Sequence, residues 1–188
     1  MIDYENFSIR LIDQNDKELI LSWRNSERVR CNMYSDHLIT QKEHDTWFSK
    51  ALVDISAVYL LFLYMERPIG FISFTHIDKI HQRCFWAFYL GEVDVPRGSG
   101  SVMEYFALDY AYMTLKIRKL CAEVFTFNST VIRLHEKFGF IEEGRFVAHY
   151  LKNGQYEDIV CIARFMETWL DDRKIFQNRI FGKANNRS

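Results

Sequence analysis

Two stretches of this 188-residue sequence combine residue types and spacing that chemistry can use. The first is Arg97-Gly98-Ser99-Gly100-Ser101, in a chain with only 8 Gly and 2 Pro. It precedes Met103, Phe106, Ala107, Tyr110, Met113 and Thr114, whose spacing predicts a helix of about four turns. The first amides of a helix lack internal partners, and the dipole adds partial positive charge there. Glycines leave room for a bulky anion and Arg97 adds a fixed charge, so the turn suits a phosphate or pyrophosphate. A plain strand-to-helix turn has the same composition. The stretch is not a Walker loop, because no Gly-Lys-Ser/Thr follows, and the third glycine of a dinucleotide fingerprint is absent. The second stretch is KLCAEVFTF, in which Glu123 shares a strand face with Cys121, Phe125 and Phe127. A carboxylate is costly to bury there without a purpose or a partner. Glu123 is therefore a candidate general base; pairing with Lys119 or Lys137 is the alternative.

These groups need a scaffold. FSIRLID (Phe7–Asp13) alternates as a strand does. Asn15, three residues before Glu18, predicts a cap for a helix opening at Leu19-Ile20-Leu21-Ser22-Trp23. Thr40 and Glu43 form a capping box for a second helix, with His44, Trp47, Phe48, Ala51 and Leu52 on one face. Strands are predicted at Ala57–Tyr64, Ile69–His76 and Cys84–Gly91, with Arg67-Pro68 as the first turn. After the glycine turn and its helix come a strand, Lys119–Phe127, and a helix capped by Asn128 or Ser129. That helix packs through Val131, Leu134 and Phe138 and ends at Gly139. Strands Phe140–Leu151 and Tyr156–Phe165 flank Asn153-Gly154, a strong hairpin signal. Met166–Phe181 has helical spacing, and Gly182–Ser188 is expected to fray. The order β-α-α-β-β-β-α-β-α-β-β describes an α/β chain with a mixed sheet.

Composition narrows the classes. Hydrophobic residues at 48% and aromatics at 16% support one sizeable core. A formal net charge of -1 gives no field to recruit nucleic acid or an anionic membrane. Cys31, Cys84, Cys121 and Cys161 lack paired spacing, so reduced thiols are expected rather than a zinc or redox motif. The 6 His show no H-x-x-x-H spacing, and no metal is expected. The N-terminus lacks a basic start with an apolar run, and the longest apolar run, around Ala57–Met65, is too short to span a bilayer. A soluble cytoplasmic protein is expected.

Arg97-Gly98-Ser99-Gly100 resembles the R-x-x-G-x-G/A loop of the GNAT superfamily of N-acetyltransferases. Asn128, followed by Leu134-His135-Glu136-Lys137-Phe138-Gly139-Phe140, resembles the later N…Y-x-K-x-G-F segment of that superfamily. The resemblance implies a GNAT fold over residues 1–165, a mixed central sheet of about seven strands flanked by about four helices, with 166–188 as a helical tail. It implies acetyl-CoA as cosubstrate. The pyrophosphate would lie on Arg97, Gly98, Ser99, Gly100 and Ser101, and the pantetheine along Leu90, Gly91 and Asn128. Two positions depart: Val102 replaces the last Gly/Ala of the loop, and His135 the usual Tyr. LSWRNSERVRCNMYS (Leu21–Ser35), with Ile39, His44 and Trp47, is similar to the nucleotide-sugar N-acetyltransferases of the pseudaminic acid pathway. That likeness implies a UDP-linked 4-amino-4,6-dideoxy sugar as acceptor, held by Arg24, Asn25, Arg30, Met33, Tyr34, Trp47, Ser73 and Tyr89, and a product used in flagellar or surface glycosylation. Physically, Arg24, Arg28 and Arg30 near one helix end suit a diphosphate, and Met33, Tyr34 and Trp47 suit a uracil and a deoxysugar methyl. A solvated arginine face and a core Trp47 are the alternatives.

Acetyl transfer to an amine needs a base, a donor for the developing oxyanion and an acid for the leaving thiolate. The likeness places Glu123 as the base. A backbone amide of Ala87–Gly91 is expected at the oxyanion. Asn128 and His135, two helical turns apart, share a face, so Asn128 can bind the pantetheine while His135 stands at the sulfur in place of the family's acidic Tyr. An imidazole titrates closer to neutrality than a phenol. A protein N-terminal or ribosomal-protein acetyltransferase and a non-catalytic CoA-binding protein are the rival readings. The tail either covers the core or makes a homodimer contact.

Overall fold

In the computed structural model, which describes residues 2–182, seven strands form one mixed sheet. They are β1 (Phe7–Leu11), β2 (Val58–Tyr64), β3 (Arg67–Asp78), β4 (Arg83–Leu90), β5 (Lys119–Phe125), β6 (Ile141–Lys152) and β7 (Gln155–Phe165), in the spatial order β1-β2-β3-β4-β5-β7-β6. Six α-helices flank it: α1 (Lys17–Asn25), α2 (Glu27–Arg30), α3 (Gln41–Ala51), α4 (Ser99–Met113), α5 (Ser129–Lys137) and α6 (Trp169–Phe181). The expected fraying of 183–188 lies outside the described residues.

The sequence VYLLFLY of β2 is nearly all apolar because both of its faces are covered. Leu60 and Phe62 enter the large core under α4, while Leu61 and Leu63 enter a second cluster with Ile20, Trp23 and Phe48 of α1 and α3. The β4–α4–β5 unit runs through the larger core, where Val102, Met103, Ala107 and Leu108 are fully buried. Val102 thus faces the core. The tail covers this core too: Trp169 is fully buried and stacks with Phe176.

The expected elements are present, with corrections at their ends. The first hairpin turns at Met65-Glu66, both at positive φ, and Arg67-Pro68 already belong to β3; a bulge between Phe62 and Leu63 accommodates the missing proline donor. Asp13 and Asp16, not Asn15 and Glu18, form the capping box that leads into α1. β5 ends at Phe125 rather than Phe127. The helix count exceeds about four because Ser26, at ψ 139, breaks the first helix and sets α2 apart from α1, and because the tail is itself a helix.

Candidate active site

β4 and β5 run parallel but pair at only three positions, Arg83 with Lys119, Cys84 with Leu120 and Phe85 with Cys121. Beyond these the strands splay, and the edge of β4 that faces β5 carries no ladder. The gap is a wedge of about 160 Å³ between Trp86, Ala87 and Phe88 on one strand and Glu123 on the other. Asn128 and His135 of α5 line it, with Met33 and Tyr34 of the loop before α3. Glu123, Asn128 and His135, spread over 13 positions of sequence, therefore meet in one place.

Glu123 is exposed to this opening rather than buried, because the splay leaves its face of β5 without a partner layer. It accepts a 2.6 Å hydrogen bond from the Tyr34 hydroxyl. Tyr34, expected at the sugar, stands in the wedge; burial and the Glu123 carboxylate hold its phenol well above the usual range. Asn128 occupies the cap position of α5 but makes no side-chain cap bond. His135 is only 3% exposed. Its Nδ1 lies 2.9 Å from Oε1 of Glu104 on α4, a residue the sequence reading did not single out. A carboxylate inside the apolar run VMEYFAL was the available signal.

The glycine turn opens α4. Gly98 is its cap residue at φ 95, and a Cβ there would lie 2.8 Å from Ile2. Ser99 N and Oγ both turn back to the Pro96 carbonyl, at 3.1 and 2.7 Å, and Ser101 N bonds Gly98 O at 2.9 Å. Among the described residues, the amides of Gly98 and Gly100 find no acceptor, and the exposed Arg97 makes no hydrogen bond or ion pair. The turn therefore keeps the two free donors and the cation that a pyrophosphate needs. Leu90 and Gly91 are employed otherwise. Their carbonyls accept from Arg28 at 2.8 and 2.7 Å, and Gly91 N donates to Ile69 O. Gly91 is glycine because Trp23 lies against it: an added Cβ would stand 2.0 Å from the indole.

A larger cavity of about 380 Å³ lies beside the wedge, against α1, α3, the 31–40 loop and the strand face of β3 and β4. Arg24, Met33, Trp47, Ser73 and Tyr89 line it, as does His44. Met33 and Ala87 line both spaces, so cavity and wedge adjoin there. Arg24 donates to Ser35 O and Oγ through Nη2, while its buried Nη1 has no partner among the described residues. Burial holds this guanidinium below its usual range and the Tyr89 phenol above its own. Trp47 is 37% exposed and packs on Tyr59 and Phe71, so it is both wall and support. Ser73 Oγ bonds Ala87 O at 3.3 Å.

The three guanidiniums do not converge, because the break at Ser26 separates them. Arg28 holds the end of β4, and Arg30 is spent on Asp36 O and Glu27. Neither Arg30 nor Asn25 lines the cavity; Asn25 bonds Ile39 N and O at 2.8 and 2.9 Å. Both hold the loop. So does Lys152 from the β6–β7 hairpin, with Nζ 2.9 Å from Met33 O and 3.0 Å from Asp36 Oδ2. Among the described residues, no three His, Cys, Asp or Glu group as a metal site, and no helix is long and apolar enough to cross a membrane.

Residues 9–161 match the model of the acetyltransferase (GNAT) domain. The chain is 22% identical over 153 residues to a spermidine N(1)-acetyltransferase of Vibrio cholerae, covering 81% of this chain and 88% of the relative. It is 29% identical over 140 residues to the acetyltransferase PseH of Campylobacter jejuni, covering 74% and 85%. The crystal structure of the Vibrio cholerae spermidine N-acetyltransferase with CoA and spermine superposes with a TM-score of 0.83 at 20% identity, over 88% of this chain and 99% of that one. The splayed strands, the glycine turn and the matched domain agree: this chain belongs to the GNAT family and is an acetyl-CoA-dependent N-acetyltransferase.

Proposed function

We propose that this enzyme acetylates the 4-amino group of a UDP-linked 4-amino-4,6-dideoxy sugar, with the acceptor in the cavity and the thioester in the wedge. The lining of the cavity carries the reading. Its apolar walls are Ile20, Met33, Ile39, Trp47 and Phe71, and its cation is Arg24, whose buried Nη1 has no partner among the described residues. Apolar and aromatic walls with one guanidinium suit a deoxysugar on an anionic nucleotide. A polyamine calls for carboxylates. The one in this lining, Glu43, is committed to Thr40 N and Oγ1, at 2.7 Å each, and to His37. The similarity of residues 21–35 to pseudaminic-pathway enzymes points the same way.

In this reading Arg97 and the amides of Gly98 and Gly100 hold the pyrophosphate, and the uncommitted Asn128 side chain holds the pantetheine. Acetyl-CoA supplies the activated acyl group. Glu123 takes the proton of the amine, directly or through water, with its carboxylate fixed by Tyr34. An unladdered amide of β4 meets the oxyanion, a contribution of about 2.7–4 kcal/mol for one donor. His135 protonates the departing sulfur.

Thiol release from acetyl-CoA over a panel of acceptors tests the assignment. A UDP-linked 4-amino-4,6-dideoxy sugar is expected to exceed spermidine and an N-terminal peptide by about 100-fold in kcat/KM. Preference for spermidine, the acceptor class of the Vibrio cholerae relative, or for the peptide would overturn it. Binding of acetyl-CoA without turnover on any amine would favour a non-catalytic role.

A further inference from the structure

Glu104 is the most deeply buried carboxylate of the core, at 0% exposure, and it sits against His135 at 3%. Only one of its oxygens is used: Oε1 meets His135 Nδ1 at 2.9 Å, and Oε2 has no partner among the described residues. The imidazole is packed by the rings of Trp86, Phe88 and Phe140, and the residue lines the wedge. A carboxylate placed so deeply is costly unless its charge is neutralised.

We infer that Glu104 is the positioning residue of a buried carboxylate–imidazole pair, which presents His135 Nε2–H to the sulfur as the proton source for the departing thiolate. This rests on His135 acting at the sulfur and is independent of which amine is the acceptor. The resting pair carries no net charge, with one proton between Oε1 and Nδ1 and one on Nε2. When the C–S bond breaks, its electron pair goes to sulfur, and the Nε2 proton follows it. The pair is left as carboxylate and Nδ1–H imidazole, with one net negative charge. The acceptor nitrogen has given one proton to Glu123, which releases it to solvent, and the pair takes one from solvent, so protons balance over the cycle.

The surrounding charges favour this sequence. Burial pushes the Glu104 carboxyl up, and His135 and Arg164 on β7 pull it back. Arg164 is buried and bonds Phe138 O and Asp172, so a fixed cation shares the core with the pair when it is negative. Glu123 is the charged group across the wedge on β5, while Glu136 and Lys137 on α5 are exposed. The buried negative state is short-lived because uptake of a proton neutralises the buried charge.

The test is kinetic and spectroscopic. Glu104→Gln is expected to lower kcat about 10- to 100-fold with both KM values unchanged. With the selenoester analogue of acetyl-CoA, whose selenolate leaves without a proton, the deficit should shrink to about 3-fold or less. Equal deficits with both acyl donors, or no deficit, would overturn the inference. Ring-nitrogen NMR of the wild-type enzyme needs no variant: Nε2 of His135 is expected to be protonated at rest, and a bare Nε2 would overturn it even if Glu104→Gln fails to fold.

Discussion

The wedge and the cavity adjoin at Met33 and Ala87, yet they are built in opposite ways. The sheet makes the wedge: two parallel strands stop pairing after Phe85 and Cys121, and α5 closes the gap with residues locked into the core. The loop closes the cavity over α1, α3 and the face of β3 and β4. Residues 31–40 form no helix or strand and are held by side chains, Asn25 on Ile39, Arg30 on Asp36, and Lys152 on Met33 and Asp36. A space set by splayed backbone keeps its form whichever amine enters. A space set by side-chain staples changes with a few substitutions. Under the proposed function the chemistry belongs to the rigid half and the choice of acceptor to the adaptable half.

Four substitutions separate the halves, in falling order of effect. Glu123→Gln removes the proposed base, and kcat should fall about 10²- to 10⁴-fold for every acceptor, with acetyl-CoA KM unchanged in steady-state assays. A loss of less than about 3-fold would place the base elsewhere. Gly98→Val forces a β-branched residue to φ 95 and a Cβ against Ile2. It should cost about 1–2 kcal/mol of stability, visible as a lower Tm, together with a raised acetyl-CoA KM. Unchanged Tm and KM would show that the turn tolerates the side chain.

Lys152→Met keeps the packing over Phe125 and removes the charge that holds the loop. Asp36 is exposed enough to hydrate when freed, so the effect should be modest, an acceptor KM raised about 5-fold at constant acetyl-CoA KM. An equal rise in both KM values would contradict the division of labour. Asp16→Asn, in the lining of neither space, is the control. Burial works to raise the Asp16 pKa, but Arg10 at 2.7 Å to both oxygens and the Asp13 amide hold it below the usual carboxylate range. A depressed folded-state pKa gives stability that is present above the unfolded value near 3.9 and lost as pH falls through the folded value. The variant should have a lower Tm at pH 7, the difference should vanish in acid, and kcat should not change.

What the sequence made legible follows the same division. Apolar period marked the strands, Thr40 with Glu43 marked the start of α3, and Asn153-Gly154 marked the last hairpin, because each signal is local. The Met65-Glu66 turn escaped because neither residue is a usual one at positive φ. The break at Ser26 escaped because ERVR has no Gly or Pro to announce it, and so the arginines were read as one cluster. Asn128 and His135 were legible through their motif, and Glu123 as a carboxylate on an otherwise apolar strand face. Glu104 and Lys152 were not, since their partners lie 31 and more than 100 positions away and only the fold brings them together.

The division between the two spaces is tested most directly by a crystal structure with CoA and the acetylated sugar nucleotide. The diphosphate of CoA is predicted on the amides of Gly98 and Gly100, with its sulfur in the wedge near Glu123 and His135 and the sugar in the cavity against Trp47. A diphosphate bound elsewhere, or a sulfur outside the gap between β4 and β5, would contradict it.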